Sequence, residues 1–463
     1  MPHYDLVIVG TGSGNSILDP RFAGWKTAIV EKGVFGGTCL NVGCIPTKMF
    51  VHTADLAATP SLSSRFGVDE TLDKVRWTDV RDRIYGRIDP IAEGGREYRK
   101  RHEDNANVTV YEAEGRFTGH KELTVSFPDG RPDETITADK FVLAAGGRPV
   151  IPDLPGLEDV RYHTSDTVMR LDALPARVVI LGSGFIAAEF AHVFTSFGVE
   201  VTLVARSGAL LRSEDSAISE RFTELAAQRF DVRLNRKTVR VRPSATGIAL
   251  ELEGPQGAET VEADELLIAV GRRPNSDLLD VGATGVTTTE DGHVVVDDHQ
   301  QTVVEGIYAL GDLSSPYELK HVANHESRIV QHNLLHPDEP MTADHRFVPH
   351  AVFTSPQIAS VGLTEQEAQA RGVRYVTSTQ DYAGIAYGWA MEDLSGFAKL
   401  LADPDTGQLI GAHIIGPQAS TVIQPLIQAM SFGLDAKSMA RGQYWIHPAM
   451  PELIENALLN LPL

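Results

Sequence analysis

Residues 4–14 read YDLVIVGTGSG and residues 177–187 read RVVILGSGFIA. Each is an apolar run of strand length that closes in Gly-x-Gly. The pattern predicts a helix after each, and then a second apolar run: TAIVEKG at 27–33 and EVTLVAR at 200–206. Strand, glycine turn, helix, strand is the unit that seats a dinucleotide pyrophosphate on a helix N-terminus. One Gly-x-Gly is weak evidence, since any tight strand-to-helix turn can use it. Two copies in the same context make that bland reading poor. The expected fold class is α/β with two Rossmann-like dinucleotide-binding domains. One irregularity stands out: the third glycine of the first fingerprint is Asn15, and Asp19-Pro20 follows. That predicts looser helix–strand packing there and a helix cut short or broken.

Working outward, FVLAAGGRPVIPDLPG (141–156) is a buried-type strand running into a Pro/Gly stretch, which suggests a crossing between domains. ELLIAVGRRPN (265–275) repeats the theme, and GIYALGDLSS (306–315) is a strand ending in a tight Gly-Asp turn. Beyond residue 344 come HAVFTSPQIASVG, GFAKLLAD and QLIGAHIIG, short strands flanked by helices, expected as a separate α+β domain. The expected division is 1–150 with 271–343, then 151–270, then 344–463.

The two glycine units differ in chemistry. The second strand of the first ends in Glu31, whose carboxylate suits a ribose diol and repels a 2′-phosphate. The matching position of the second unit is Ala205, followed by Arg206 and Arg212. Loss of the acid with gain of guanidinium groups suits a 2′-phosphate. The expectation is FAD in the first unit and NADPH in the second; the bland alternative leaves both arginines as solvated surface.

The chain has only two cysteines, Cys39 and Cys44, within GGTCLNVGCIPTK (36–48). On one regular helix they would lie about 7.5 Å and 140° apart, too far to bridge. Gly43 and Pro46 allow departure from that regularity, Pro46 by removing a donor and restricting Ile45. A lone close pair is expected to be a redox pair rather than a staple. Two cysteines also exclude a disulfide framework and a Cys-rich zinc site, and no metal site is expected.

Composition narrows the class further. Across 463 residues, 41 basic against 62 acidic side chains give a net charge of −21, which argues against nucleic-acid or anionic-membrane partners. No apolar run approaches the roughly 18 residues of a membrane span. The N-terminus shows no secretory pattern, so a cytoplasmic location is expected.

GGTCLNVGCIPTK, with GTGSG, GSGFIAAE, the AGGRP and VGRRPN turns, ALGD and the C-terminal HPAMPE, resembles the pyridine nucleotide–disulfide oxidoreductases along the whole chain. This is the family of glutathione reductase and lipoamide dehydrogenase. The resemblance implies that Cys44 is the flavin-proximal sulfur and Cys39 the sulfur that exchanges with substrate. His447 would be the acid–base group and Glu452 its orienting partner. Lys48 and Glu189 would form a charge pair beside the flavin, Asp312 would hold the ribityl chain, and Phe185 would gate the nicotinamide. The full set expected to contact cofactors is Gly10, Gly12, Gly14, Glu31, Thr38, Lys48, Gly146, Gly182, Gly184, Glu189, Arg206, Arg212, Gly271, Gly311 and Asp312. The resemblance also implies a homodimer, formed through the C-terminal domain, that reduces a small-molecule disulfide. No arginine cluster for glutathione carboxylates can be placed, so an uncharged sugar-linked disulfide is expected instead. Glutathione-disulfide reduction and NAD-linked lipoamide dehydrogenation are the alternatives, the latter opposed by Ala205 and Arg206. Mercuric and large thioredoxin reductases would need further C-terminal cysteines, which LLNLPL lacks. A non-catalytic flavin-binding module would have no use for the intact Cys39, Cys44, His447 and Glu452 set.

Overall fold

The computed structural model describes residues 1–245 and 247–463. Three sheets carry the chain, each from apolar runs visible in the sequence. In the first, strands Val108–Glu112, Thr27–Glu31, His3–Val9, Glu134–Leu143 and Ile307–Ala309 run parallel. Strands Glu122–Ser126 and Glu114–Gly119 extend it antiparallel from the start of Glu134–Leu143. Leu6, Val7 and Ile8 are fully buried, as a parallel sheet covered on both faces requires.

The second sheet repeats the order in parallel: Asp231–Arg233, Glu200–Val204, Arg177–Leu181, Glu265–Ile268. An antiparallel three-stranded sheet, Lys237–Ser244, Gly247–Gly254 and Gly257–Ala263, accompanies it. The repeat extends to atomic detail. A Cβ on Gly10 would collide with the Ala144 carbonyl oxygen, and one on Gly182 with that of Ala269. Both glycines have positive φ, 101° and 140°, so each turn tucks under the neighbouring parallel strand as only glycine permits.

The units diverge after their glycines. The second continues into the helix Phe185–Ser196. The first does not form the helix that the repeat predicts: it makes two 3-10 turns, Ser13–Ser16 and Pro20–Phe22. Asn15 and Pro20 explain the break, but the expected looseness is absent. Ile17 and Phe22 are buried, and Gly14 leaves space for a Cβ only 2.7 Å from that of Ala144.

Two short strands, Gly147–Pro149 and Arg272–Pro274, pair antiparallel where the chain leaves the first sheet for the second and returns. The third sheet is five-stranded and antiparallel, ordered His350–Val352, Gln357–Gly362, Leu409–Gly416, Phe397–Ala402, Val376–Asp381. Helices Gln424–Phe432, Ala436–Arg441 and Glu452–Leu459 accompany it. A buried polar network ties the second sheet's unit to this third one. Lys399 Nζ donates to Asp215 Oδ1 at 2.8 Å and to Glu365 Oε2 at 2.6 Å, while Glu214 accepts from His350 and Ser360 at 2.7 Å each. Among the described residues no helix is long and apolar enough to cross a membrane.

Candidate active site

Cys39 lies in the short helix Gly37–Asn41, and Cys44 opens the helix Cys44–Ala58. The break between them falls at Val42-Gly43. Val42 N–H closes the first helix on Thr38 O at 2.9 Å. A Cβ on Gly43 would stand 2.9 Å from that same oxygen, so glycine lets the second helix start hard against the first. The break removes the separation of about 7.5 Å that one continuous helix would impose. The two thiols, both free, become hydrogen-bond partners. Pro46 does not push Ile45 out of the helix. It is the helix's third residue, where a backbone N–H has no intrahelical acceptor to lose.

The pair is electrostatically unequal. Cys39 is held below the usual thiol range, first by the hydrogen bond from the Cys44 thiol and then by the Lys320 charge and the N–H groups of Cys44 and Ile45. Cys44 is pushed upward, chiefly because its proton bridges to Cys39, with burial and the charge of Asp312 adding to it. The surroundings therefore favour the thiolate on Cys39 over Cys44. Lys320 was not anticipated. Its only sequence signal is a lysine beginning the helix Lys320–Leu335 with no acid in the first turn, a cation set against the positive end of the helix dipole.

His447 Nδ1–H donates to Glu452 Oε1 at 2.6 Å, which fixes one tautomer. The His447 side chain is 69% exposed, whereas Glu452 is 14% exposed. Exposed Tyr444 and Ile446 precede it in the chain, and exposed Phe432 and Leu434 lie on the same domain. Among the described residues no hydrogen bond or ion pair joins His447 to either cysteine.

Among the described residues no ion pair within 4.0 Å joins Lys48 to Glu189, although each charge acts on the other. Phe353, from the third sheet's unit, serves both. Its N–H donates to Glu189 Oε1 at 2.8 Å, and Lys48 Nζ stands 3.9 Å from its ring centre. Burial raises Glu189 to about 7, with the Phe353 N–H and the Lys48 charge opposing, and burial lowers Lys48. Sequence reasoning missed Phe353 because the contact spans 164 residues.

The residues around the first glycine turn fit a dinucleotide. Glu31 Oε2 accepts from Thr11 N–H at 2.8 Å and from its hydroxyl at 2.6 Å, and Oε1 accepts from Gly33 N–H at 2.8 Å, so the carboxylate is fixed at the strand tip. Gly37 presses on Gly12: a Cβ on Gly37 would lie 2.7 Å from Gly12 Cα. Thr38 therefore sits beside the turn. Gly146 O accepts from Asn275 N–H at 3.0 Å, and Gly311 N–H donates to Glu326 Oε2 at 2.7 Å. Burial raises the Asp312 carboxyl, the Arg272 charge opposing it, and no other side chain bonds to it among the described residues. The buried hydroxyls of Ser314 and Ser315 also lack hydrogen-bond partners. Unpartnered polar groups beside a glycine-lined turn are the donor set that a polyol and pyrophosphate would satisfy.

At the second turn, a Cβ on Gly184 or Gly271 would meet no atom within 4 Å. Phe185 follows at the helix start, 45% exposed. Arg206 and Arg212 are exposed, and neither makes a hydrogen bond or ion pair among the described residues. Their loop is nonetheless held. Leu211 N–H donates to Ser183 O at 2.7 Å, and Asp215 caps the next helix through Ala217 N–H at 3.1 Å.

Comparison with known proteins agrees with this architecture. Residues 4–327 match the family "Pyridine nucleotide-disulphide oxidoreductase", and residues 348–458 match the dimerisation domain of that name. The chain is 55% identical to the mycothione reductase of Mycobacterium tuberculosis, covering 100% of both. It is 32% identical to the dihydrolipoyl dehydrogenase of Corynebacterium glutamicum, over 98% of this chain and 97% of that one. Among solved structures, the HOCl-induced flavoprotein disulfide reductase RclA of Escherichia coli superposes with a TM-score of 0.84 at 26% identity, covering 99% of this chain and 100% of that one.

Proposed function

The chain belongs to the pyridine nucleotide-disulphide oxidoreductase family, and on that premise we propose that it is an NADPH-dependent, FAD-containing reductase of mycothione that works as a homodimer. The observation that carries this reading is the unequal thiol pair, with Cys39 the favoured thiolate beside Cys44. FAD, when bound against the first glycine turn, would supply two-electron transfer from the nicotinamide to the Cys39–Cys44 disulfide.

The chain's own groups carry the disulfide half. Cys39 Sγ attacks one sulfur of the substrate; a Cys39–substrate disulfide forms and the substrate S–S bond breaks. The departing thiolate takes a proton from His447 of the partner subunit, whose imidazolium form Glu452 orients. Mixed-disulfide formation consumes the Cys39 negative charge. The hydrogen bond to that charge is the first cause holding the proton on Cys44, so Cys44 releases its proton more readily when its attack is needed, against the burial that remains. Cys44 then attacks Cys39 Sγ, the Cys39–substrate bond breaks, the proton lost by Cys44 leaves on the second thiol, and the intramolecular disulfide is restored. Two electrons have passed from the dithiol to the substrate, giving two thiols.

NADPH preference rests on Arg206 and Arg212, both without a hydrogen-bond or ion-pair partner among the described residues, which follow Ala205 at the position that Glu31 takes in the first unit. Preference against glutathione disulfide rests on arginines near the first turn that are already engaged: Arg21 forks onto Asp19, and Arg99 is buried. A cytoplasmic setting suits a chain whose two cysteines are both given to redox work.

The test is NADPH oxidation by the purified flavoprotein against mycothione, glutathione disulfide and lipoamide. Turnover should be fastest with mycothione. Efficient reduction of glutathione disulfide or lipoamide with none of mycothione would reject the substrate assignment.

A further inference from the structure

The first glycine turn lacks the helix that ordinarily backs such a turn, yet its residues are as buried as those of the second. Helical carbonyls at Asn15 and Leu18 would accept the N–H groups of residues 19 and 22; Pro20 and the 3-10 geometry forbid a continuous ladder. A side chain from another element fills their place. Arg99, near the end of the helix Trp77–Arg101, donates from Nη2 to Asn15 O at 2.6 Å and to Leu18 O at 3.1 Å. Its Nε donates to Asn15 Oδ1 at 2.8 Å, and its Nη1 to Asn105 Oδ1 at 2.7 Å. Asn15, which breaks the fingerprint, thus supplies two of the four acceptors that hold the arginine.

Two properties of Arg99 go beyond plugging carbonyls. It is only 7% exposed, and every acceptor is neutral; among the described residues no carboxylate pairs with it. Arginine keeps its charge even when burial disfavours it, so a full positive charge sits behind the turn without a counter-ion. A four-residue 3-10 turn aligns few peptide dipoles and offers an anion little of the potential of a full helix. The lost hydrogen bonds and the lost positive end are both replaced by one guanidinium. The helix Lys320–Leu335 braces the other side: Ser327 donates to Ser13 O at 3.2 Å, and Gln331 Nε2 to Ile17 O at 2.7 Å.

We propose that Arg99 is a positioning residue for bound FAD, splinting the helix-less turn and setting its guanidinium charge behind the seat of the pyrophosphate. The proposal rests on reading the first turn as the flavin site.

The test follows flavin release from the holoenzyme by the rise in free-flavin fluorescence, in the parent, Arg99→Gln and Arg99→Lys. Release should be at least tenfold faster in Arg99→Gln. It should be intermediate in Arg99→Lys, which keeps the charge and loses the fork. Slower release from Arg99→Lys than from Arg99→Gln is a charge dependence that a merely structural side chain would not confer. Should Arg99→Gln not accumulate folded, Gln331→Ala removes the opposite brace and should speed release several-fold. Arg87→Met, exposed on the same helix, should match the parent. Release from both Arg99 variants within twofold of the parent would overturn the proposal. A purified parent that carries no flavin and cannot be loaded with FAD would instead overturn the reading of the turn.

Discussion

At the scale of single residues, the surroundings of the cysteine pair bias one sulfur toward ionisation and its neighbour toward keeping its proton. The causes are separable. Cys44→Ala removes the thiol donor and Lys320→Met removes the nearby charge, and each should raise the Cys39 pKa. The pH midpoint of Cys39 alkylation in the reduced enzyme should therefore move upward in both variants, by about a unit or less for Lys320→Met if that charge is partly solvent-screened. An unmoved midpoint in both would show that the helix N–H groups alone hold the thiolate. The cysteine spacing was legible from Gly43 because a glycine between two cysteines can only loosen a helix. Lys320 and Phe353 were not legible. Neither is near in sequence to what it touches, and a lysine or phenylalanine in isolation points nowhere.

At the scale of elements, the two glycine turns make a controlled comparison. Their strands were readable because a parallel strand buried on both faces must be apolar throughout, as LVIV and VVIL are. The break after the first turn was also readable, from Asn15 and Asp19-Pro20, but its consequence was not. Loss of backbone hydrogen bonds predicts looseness, and the distant Arg99, Ser327 and Gln331 reverse it. In the second unit, the loop from Arg206 to Arg212 is pinned at both ends and leaves its two guanidinium groups free. Each charge-assisted contact with a 2′-phosphate is worth about 1.5–3 kcal/mol. Arg206→Ala with Arg212→Ala should raise the KM for NADPH by a hundredfold or more while moving that for NADH by less than about threefold. Steady-state kinetics with both nucleotides checks this, and equal losses would assign the arginines to general charge rather than to the phosphate.

At the scale of the whole molecule, no hydrogen bond or ion pair among the described residues joins the exposed His447 to either cysteine of its own chain. Two-fold symmetry resolves this if each subunit lends His447 to the other's cysteines. Cys39→Ser and His447→Ala homodimers should each be nearly inactive. Heterodimers should regain about half the parent activity, because one of their two sites keeps both groups; heterodimers that form and stay inactive would refute the shared site. The apolar strands and the Pro/Gly stretches between them were visible in the sequence because composition changes there, but the mortar between units was not. Lys399 and Asp215 are buried together with half-buried Glu365 beside them, although they come from separate sequence regions. Lys399→Met should cost about 3–5 kcal/mol in denaturant unfolding by leaving carboxylates buried and unpaired. A loss below about 1 kcal/mol would mean that water enters and solvates them.

The antiparallel pairing of Gly147–Pro149 with Arg272–Pro274 has a consequence for inheritance. The chain departs and returns through one doorway two strands wide, so the intervening stretch can be spliced out, duplicated or exchanged without rethreading the rest. Grafting a homologous stretch to switch coenzyme should succeed only if Glu214 and Asp215 travel with it. The lodger can be changed, but the bolt on the far wall must still find its socket at Lys399.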